Sequence, residues 1–490
     1  METTVATTAM HHGAAMASPS VRLRRLGVRG LDGRARTTNR VALRRPRQGG
    51  CRDLRAAVLG RFFGGGDHGN SKNHEVDDLA PARLFVGLPI DSVTDGATVN
   101  SAAAIAAGIR AVRLLGADGV ELPVFWSVAQ PESPERFSWA GYQAVADMVR
   151  AEGLSLRVSL RTHGTPGGGV PALPSWVSGV GADDPDIFFT DRSGGRHEGC
   201  LSFAIDELPV LHGKSPLQLY EAFYRGFAGA FEEFLEDSTI TDVTVGLGAH
   251  GVLRYPSYPP GSDARTFTGV GEFQCFDKYM LAGGARRPRP GHGQAAVFGG
   301  AGKPAPAVEL SAKIPFMHWW HGAGSRPAEA AAGFYKSGRK NGYSPVAKMF
   351  ARHGCTMVVP GMDVCMNKQH HSAGSSPDQL LVQIKNACRR HGARIAGENA
   401  SLVMTHTSSF SRIRTNVLTT DLMRPRHFTY QRMGADFFSP HHFPRFMEFL
   451  RSVVCGDGED DDGPADDSHH LADLPAAAAA GSATREAKAL

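Results

Sequence analysis

No stretch of this chain approaches the roughly 18 consecutive apolar residues that a membrane-spanning helix needs, because glycine, proline or charge interrupts every apolar run. A membrane span is therefore excluded, and no membrane partner is expected. Cysteine is also scarce. The seven are Cys51, Cys200, Cys275, Cys355, Cys365, Cys388 and Cys455, an odd number without a CxxC pair, so neither a zinc site nor a disulfide framework is indicated. Free thiols in a reducing compartment are the plain reading, with a Cys355–Cys365 redox pair as the alternative. Acid is nearly missing between residues 21 and 59. Only Asp32 and Asp53 stand there against Arg22, Arg24, Arg25, Arg29, Arg34, Arg36, Arg40, Arg44, Arg45, Arg47, Arg52 and Arg55. With the Thr, Ala and Ser before it, this composition is that of a plastid transit peptide over residues 1–60. A basic nucleic-acid arm is the competing reading. It is disfavoured because nothing downstream interleaves aromatic and basic residues as a binding groove would. The formal net charge of +5 is then concentrated in a removable segment, and no nucleic-acid partner is expected.

The rest of the chain divides by composition. Residues 61–80, rich in Gly, Asp, His and Asn, read as a linker. From 456 to 490 an acidic run, Glu459 to Asp462 with Asp466 and Asp467, leads into Ala476 to Ala480. Such a segment buries too little apolar surface to offset its chain entropy and is expected to be a disordered tail. The functional domain should span 81–455. There, short apolar runs at 83–90, 119–125, 154–163, 240–247, 308–317, 355–359, 393–396 and 428–433 read as strands. Helical patterns at 101–115, 142–151 and 216–235 lie between some of them. Repeated alternation of this kind predicts an α/β fold with a parallel sheet closed into a (β/α)8 TIM barrel.

In such a barrel the site is built at the C-terminal ends of the strands. Polar residues there are His163, the run from Gly246 to Tyr258, Lys313 with His318, Trp319 and Trp320, the loop from Pro360, and Glu398 with Asn399. Lys313 sits in an apolar run, VELSAKIPFMHWW, so if buried it must meet a carboxylate, water or a ligand. As a surface lysine it would snorkel instead. His318 alone reads as a structural histidine. The paired tryptophans are either core or flat platforms for sugar rings. Glu398 is either a general base or nucleophile, or half of a structural ion pair.

Longer motifs are more specific. DPDIFFTDRSG, GLGAHGVLRYPSYP, GVGEFQCFDKY, KIPFMHWW, AGFYKSGRKNGYSPVAKMFARHG, AGEN and FTYQRM all resemble the plant β-amylases, over about Arg83 to Leu450. The chain resembles the plastidial, catalytically inactive members of that family. The resemblance implies a (β/α)8 barrel and an ancestral reaction releasing maltose from α-1,4-glucans with inversion. Inversion uses two carboxyl groups about 6.5–9.5 Å apart, one protonating the leaving oxygen and one activating water. It implies that Glu398 is the retained base and that Val252 stands where the general acid should be. His163, Lys313, His318, Asn399 and Arg432 match glucan-contacting positions. His250 and Asp363 are the candidate substitute donors. Other departures are Pro123 for a sugar-binding Asp, Pro360 for an inner-loop Thr, and a shortened lid at 164–176. Between residues 279 and 307 the family carries more sequence, including a barrel helix. Either this chain's barrel is open there or coding sequence is absent.

The resemblance thus implies a protein of starch metabolism in the plastid stroma, inactive or very weak as an enzyme, that binds α-glucan or maltose or regulates a protein partner. No cofactor and no metal are expected. A weak β-amylase and a sugar-free interaction scaffold remain as alternatives.

Overall fold

The computed structural model describes residues 82–164, 170–246, 248, 251–252, 274–282, 308–319, 321, 341–364, 375–400, 407–418 and 423–454. The expected transit segment, linker and tail lie outside these residues. So do His250, Trp320, Cys365 and the segment 283–307.

The strands in chain order are β1 Arg83–Gly87, β2 Gly119–Phe125, β3 Ser155–Arg161, β4 Phe188–Thr190, β5 Arg196–Leu201, β6 Ile240–Gly246, β7 Glu309–Lys313, β8 Thr356–Pro360, β9 Ile395–Glu398 and β10 His427–Tyr430. Eight of them close a parallel barrel, β1-β2-β3-β6-β7-β8-β9-β10 and back to β1. These are the eight positions the sequence predicts. Several end earlier than predicted: β3 stops two residues before His163, and β7 stops at Lys313, whereas β8 and β9 run on to Pro360 and Glu398. Pro315 cannot donate to a ladder, so β7 does not run on to Met317.

Two elements differ from expectation. The antiparallel hairpin β4–β5 was not anticipated. Asp191 makes its turn, with Oδ1 accepting from Ser193 N (2.9 Å) and Gly195 N (2.8 Å). The helix expected over 216–235 ends at Ala230 and resumes over Glu232–Glu236. Phe231 leaves helical geometry (φ −113°, ψ 20°), with its ring stacked on Phe227 at 4.5 Å.

Sequence explains where that helix starts. Ser215 and Gln218 form a reciprocal capping box, and Pro216 holds the first helical position. Its apolar face buries Phe223 and Phe227 against Trp139, which stacks on Phe223 at 5.9 Å. Outward-facing Leu156, Val158, Leu160, Val243 and Val245 complete this layer between strands and helices. No helix among the described residues is long and apolar enough to cross a membrane.

The barrel interior is different: it is polar. At the N-terminal end Arg83 forks onto Asp242 (2.7 and 2.9 Å) and reaches Glu309 (3.4 Å), beside His427. Burial holds His427 far below the usual histidine range, and Arg157, Arg83 and Arg426 add to that effect, so the imidazole is neutral. Asp242, Glu309 and His427 lie close enough to share a cation. The guanidinium of Arg83 already fills that role.

Phe223→Ala should cost about 3–5 kcal/mol in urea unfolding, as for a fully buried ring. A loss below about 1 kcal/mol would show that the aromatic layer yields without penalty.

Candidate functional site at the barrel mouth

Three charged residues end their strands at the same rim: Arg161 on β3, Lys313 on β7 and Glu398 on β9. Alternation along a strand explains why they face inward. In β3 (SLRVSLR), Leu156, Val158 and Leu160 turn outward while Arg157, Ser159 and Arg161 turn into the lumen, as their bonds show.

Glu398 is almost wholly buried between two cations. Its Oε2 accepts from Lys313 Nζ at 2.6 Å and its Oε1 from Arg157 Nη1 at 3.3 Å. Its backbone is clamped as well. The turn after β8 donates Gly361 N (2.8 Å) and Met362 N (2.9 Å) to the Glu398 carbonyl. Gly361 has φ +93°, and a Cβ there would lie 2.8 Å from the Phe316 ring, so only glycine fits the clamp.

Arg157 is fully buried, and its donors fan across the barrel. Nη1 donates to Thr429 Oγ1, and Nη2 to Thr244 Oγ1 (2.6 Å) and, more weakly, to Ser311 Oγ (3.5 Å). A second carboxylate, Glu121 on β2, lies between Arg432 Nη1 (3.5 Å) and Arg161 Nη2 (3.8 Å). Burial alone would push the Glu121 carboxyl up. Arg432, Arg161, Lys313 and Arg157 outweigh it and bring it down to about 2. Burial lowers Lys313 despite the attraction of Glu398, and brings Arg432 down to about 10.

Of the residues expected from sequence, Lys313 and Glu398 are in direct contact and Arg432 joins them through the shared rim. Val252 pairs in parallel with Lys313 as an isolated bridge, which puts its half-buried side chain beside the lysine strand. The others hold the walls. His163 Nε2 faces Tyr220 Oη (3.2 Å) and accepts from Leu201 N (3.4 Å). His318 Nδ1 meets Ser375 Oγ at 2.8 Å, and its ring lies 4.5 Å from that of Trp319. Asn399 spends its amide on the backbone of Gln431, donating at 2.5 Å and accepting at 2.6 Å. Asp363 Oδ1 accepts from Ala400 N at 2.6 Å. Cys355 is a buried free thiol that burial pushes well up, which does not suit a redox role.

Sequence reasoning missed Glu121, Arg157 and Arg161. The signal was present: GVELPVF and SLRVSLR place charge inside runs read as strands, where only the lumen can receive it. Glu121 lies two residues before Pro123, on the same face of β2, and supplies that strand's lumen with a carboxylate.

A closed parallel barrel with its charged cluster at the carboxyl ends of the strands is the architecture of the (β/α)8 enzymes and their descendants. The chain belongs to glycosyl hydrolase family 14, which matches residues 85–285 and 295–457. It is 37% identical to Inactive beta-amylase 9 of Arabidopsis thaliana over 431 residues, covering 76% of this chain and 78% of that one. It is 32% identical to Beta-amylase 2, chloroplastic, of Oryza sativa subsp. japonica, covering 76% and 77%. The catalytic domain of β-amylase from Paenibacillus polymyxa shares the fold at 20% identity, with a TM-score of 0.58 over 77% of this chain and 100% of that one.

Glu121 contributes stability that is present above the ordinary carboxyl pKa of 4.5 and is lost as pH falls through about 2. That contribution is about 3 kcal/mol. Glu121→Gln should flatten the acid limb of stability measured by urea unfolding between pH 4.5 and 2. An unchanged limb would remove Glu121 from the charge network.

Proposed function

We propose that this protein is a glucan-binding, catalytically silent β-amylase homologue that senses or regulates starch breakdown in the plastid. One observation carries the reading: the residue facing the Lys313 strand, where the family resemblance puts the proton donor, is Val252. A sugar alkoxide leaves poorly unless protonated, and a positioned acid typically supplies about 10²–10⁴ in rate. Valine supplies none. Glu398, in the position of the base, is engaged by Lys313 and Arg157, so a water awaiting activation competes with two cations for its lone pairs. His163, Lys313, His318, Asn399, Arg432 and the Trp319 ring are the surface on which an α-1,4-linked chain would rest.

Targeting rests on two supports, the Arg-rich, acid-poor composition of residues 1–60 and the chloroplastic relatives from rice and Arabidopsis. Residues 456–490 would be a tail dispensable for the barrel.

Maltose release from a soluble α-glucan should fall at least about 10²-fold below that of an active relative assayed alongside. Clear turnover abolished by Glu398→Gln would refute the silent reading. Val252→Glu should not restore full activity, because Pro123, Pro360 and Arg157 remain; full recovery would show that the missing acid is the sole defect. Retention on an α-glucan resin distinguishes a glucan binder from a sugar-free scaffold.

A further inference from the structure

Among the described residues, the charges at the barrel mouth do not balance. Four cations meet two carboxylates: Arg157 and Lys313 share Glu398, while Arg161 and Arg432 share Glu121. No other ion pair reaches these four cations among the described residues. Their side chains are nearly buried, with 10% of Arg161, 11% of Lys313 and 10% of Arg432 exposed. An excess of two positive charges held out of water is costly unless something answers it.

The four are not equally committed. Arg157 is fully buried and spends its terminal nitrogens on Glu398, Thr429, Thr244 and Ser311. Arg432 donates to the Leu88 carbonyl and to Gln431. Arg161 is the exception. Its Nε reaches Ser159 Oγ at 3.4 Å, while its two terminal nitrogens make no hydrogen bond among the described residues, and the nearer approach to Glu121 is 3.8 Å. Lys313 uses one of its three ammonium hydrogens, on Glu398. Arg161 thus stands at a strand end with its fork unspent, flanked by Lys313 and Arg432, whose charged forms it disfavours. A planar fork of donors beside further cations matches the oxygens of a phosphate group.

We propose that the barrel mouth is an anion site in which Arg161, with Lys313 and Arg432, receives a phosphate group, and that its ligand is a phosphorylated sugar rather than a neutral one. The sugar half of this statement rests on the glucan reading above; the phosphate half does not. The phosphate replaces the missing negative charge and takes up the open donors of Arg161. A neutral sugar hydroxyl leaves the excess charge unanswered.

The test is calorimetric titration of the full chain, at constant ionic strength set with chloride, using inorganic phosphate, glucose 6-phosphate and maltose. Phosphate and glucose 6-phosphate are expected to bind, the ester more tightly, and Arg161→Met should weaken both by at least about 10-fold. Arg161→Lys, which keeps the charge and loses the fork, should lie between. Phosphate binding without any gain from the sugar supports the anion site and counts against a sugar ligand. Maltose binding with no response to either phosphate overturns the anion site and leaves the glucan reading standing. Phosphate binding indifferent to both Arg161 substitutions places the anion elsewhere and overturns the assignment. Silence with all three ligands overturns both. The wild-type arms decide the matter even if Arg161→Met does not fold.

Discussion

The structure depends on one buried guanidinium. Arg157 lies inside the barrel, where its charge is tolerable only because Glu398 and three hydroxyls on β6, β7 and β10 surround it. The same contact fixes the carboxylate that the family resemblance makes the base. A requirement of folding and the state of the candidate site are therefore one interaction. Barrel interiors are more often filled by branched apolar side chains. Here layers of charge take their place, with Arg83 answering Asp242 and Glu309 below, Arg157 in the middle and the unbalanced rim above.

That arrangement shapes the candidate site as well as the fold. On the reading proposed above, valine at 252 in place of a proton donor removes one chemical step but leaves a cleft. The cleft in this chain holds Lys313 and Arg157 against Glu398, while Asn399, His163 and His318 make wall contacts. These features bear on what the mouth can hold. Glycosyl hydrolase family 14 membership is common ground with the relatives named above.

Much of this was legible beforehand. Alternating apolar segments located all eight barrel strands, because strands covered by helices must be apolar on their outward face. Lys313 was marked by its apolar surroundings and Glu398 by its place after a short strand and a glycine. The long motifs pointed to the family. The hairpin β4–β5 was missed because its two short strands lack a clear alternation and depend on the Asp191 turn. The break at Phe231 was missed because an aromatic at helical spacing looks the same on either side of a kink.

What the sequence determined by itself was the inventory: eight strand segments, a valine where an acid is expected, and charged residues inside segments that must be buried. What only the tertiary structure decided was which charges meet. Arg157 and Glu398 are 241 residues apart, and Glu121 and Gln431 are 310 apart. No local pattern encodes such pairings. Closing eight strands into a ring brings every inward side chain within reach of strands far away in sequence, so the balance of charge in the lumen exists only once the ring is shut.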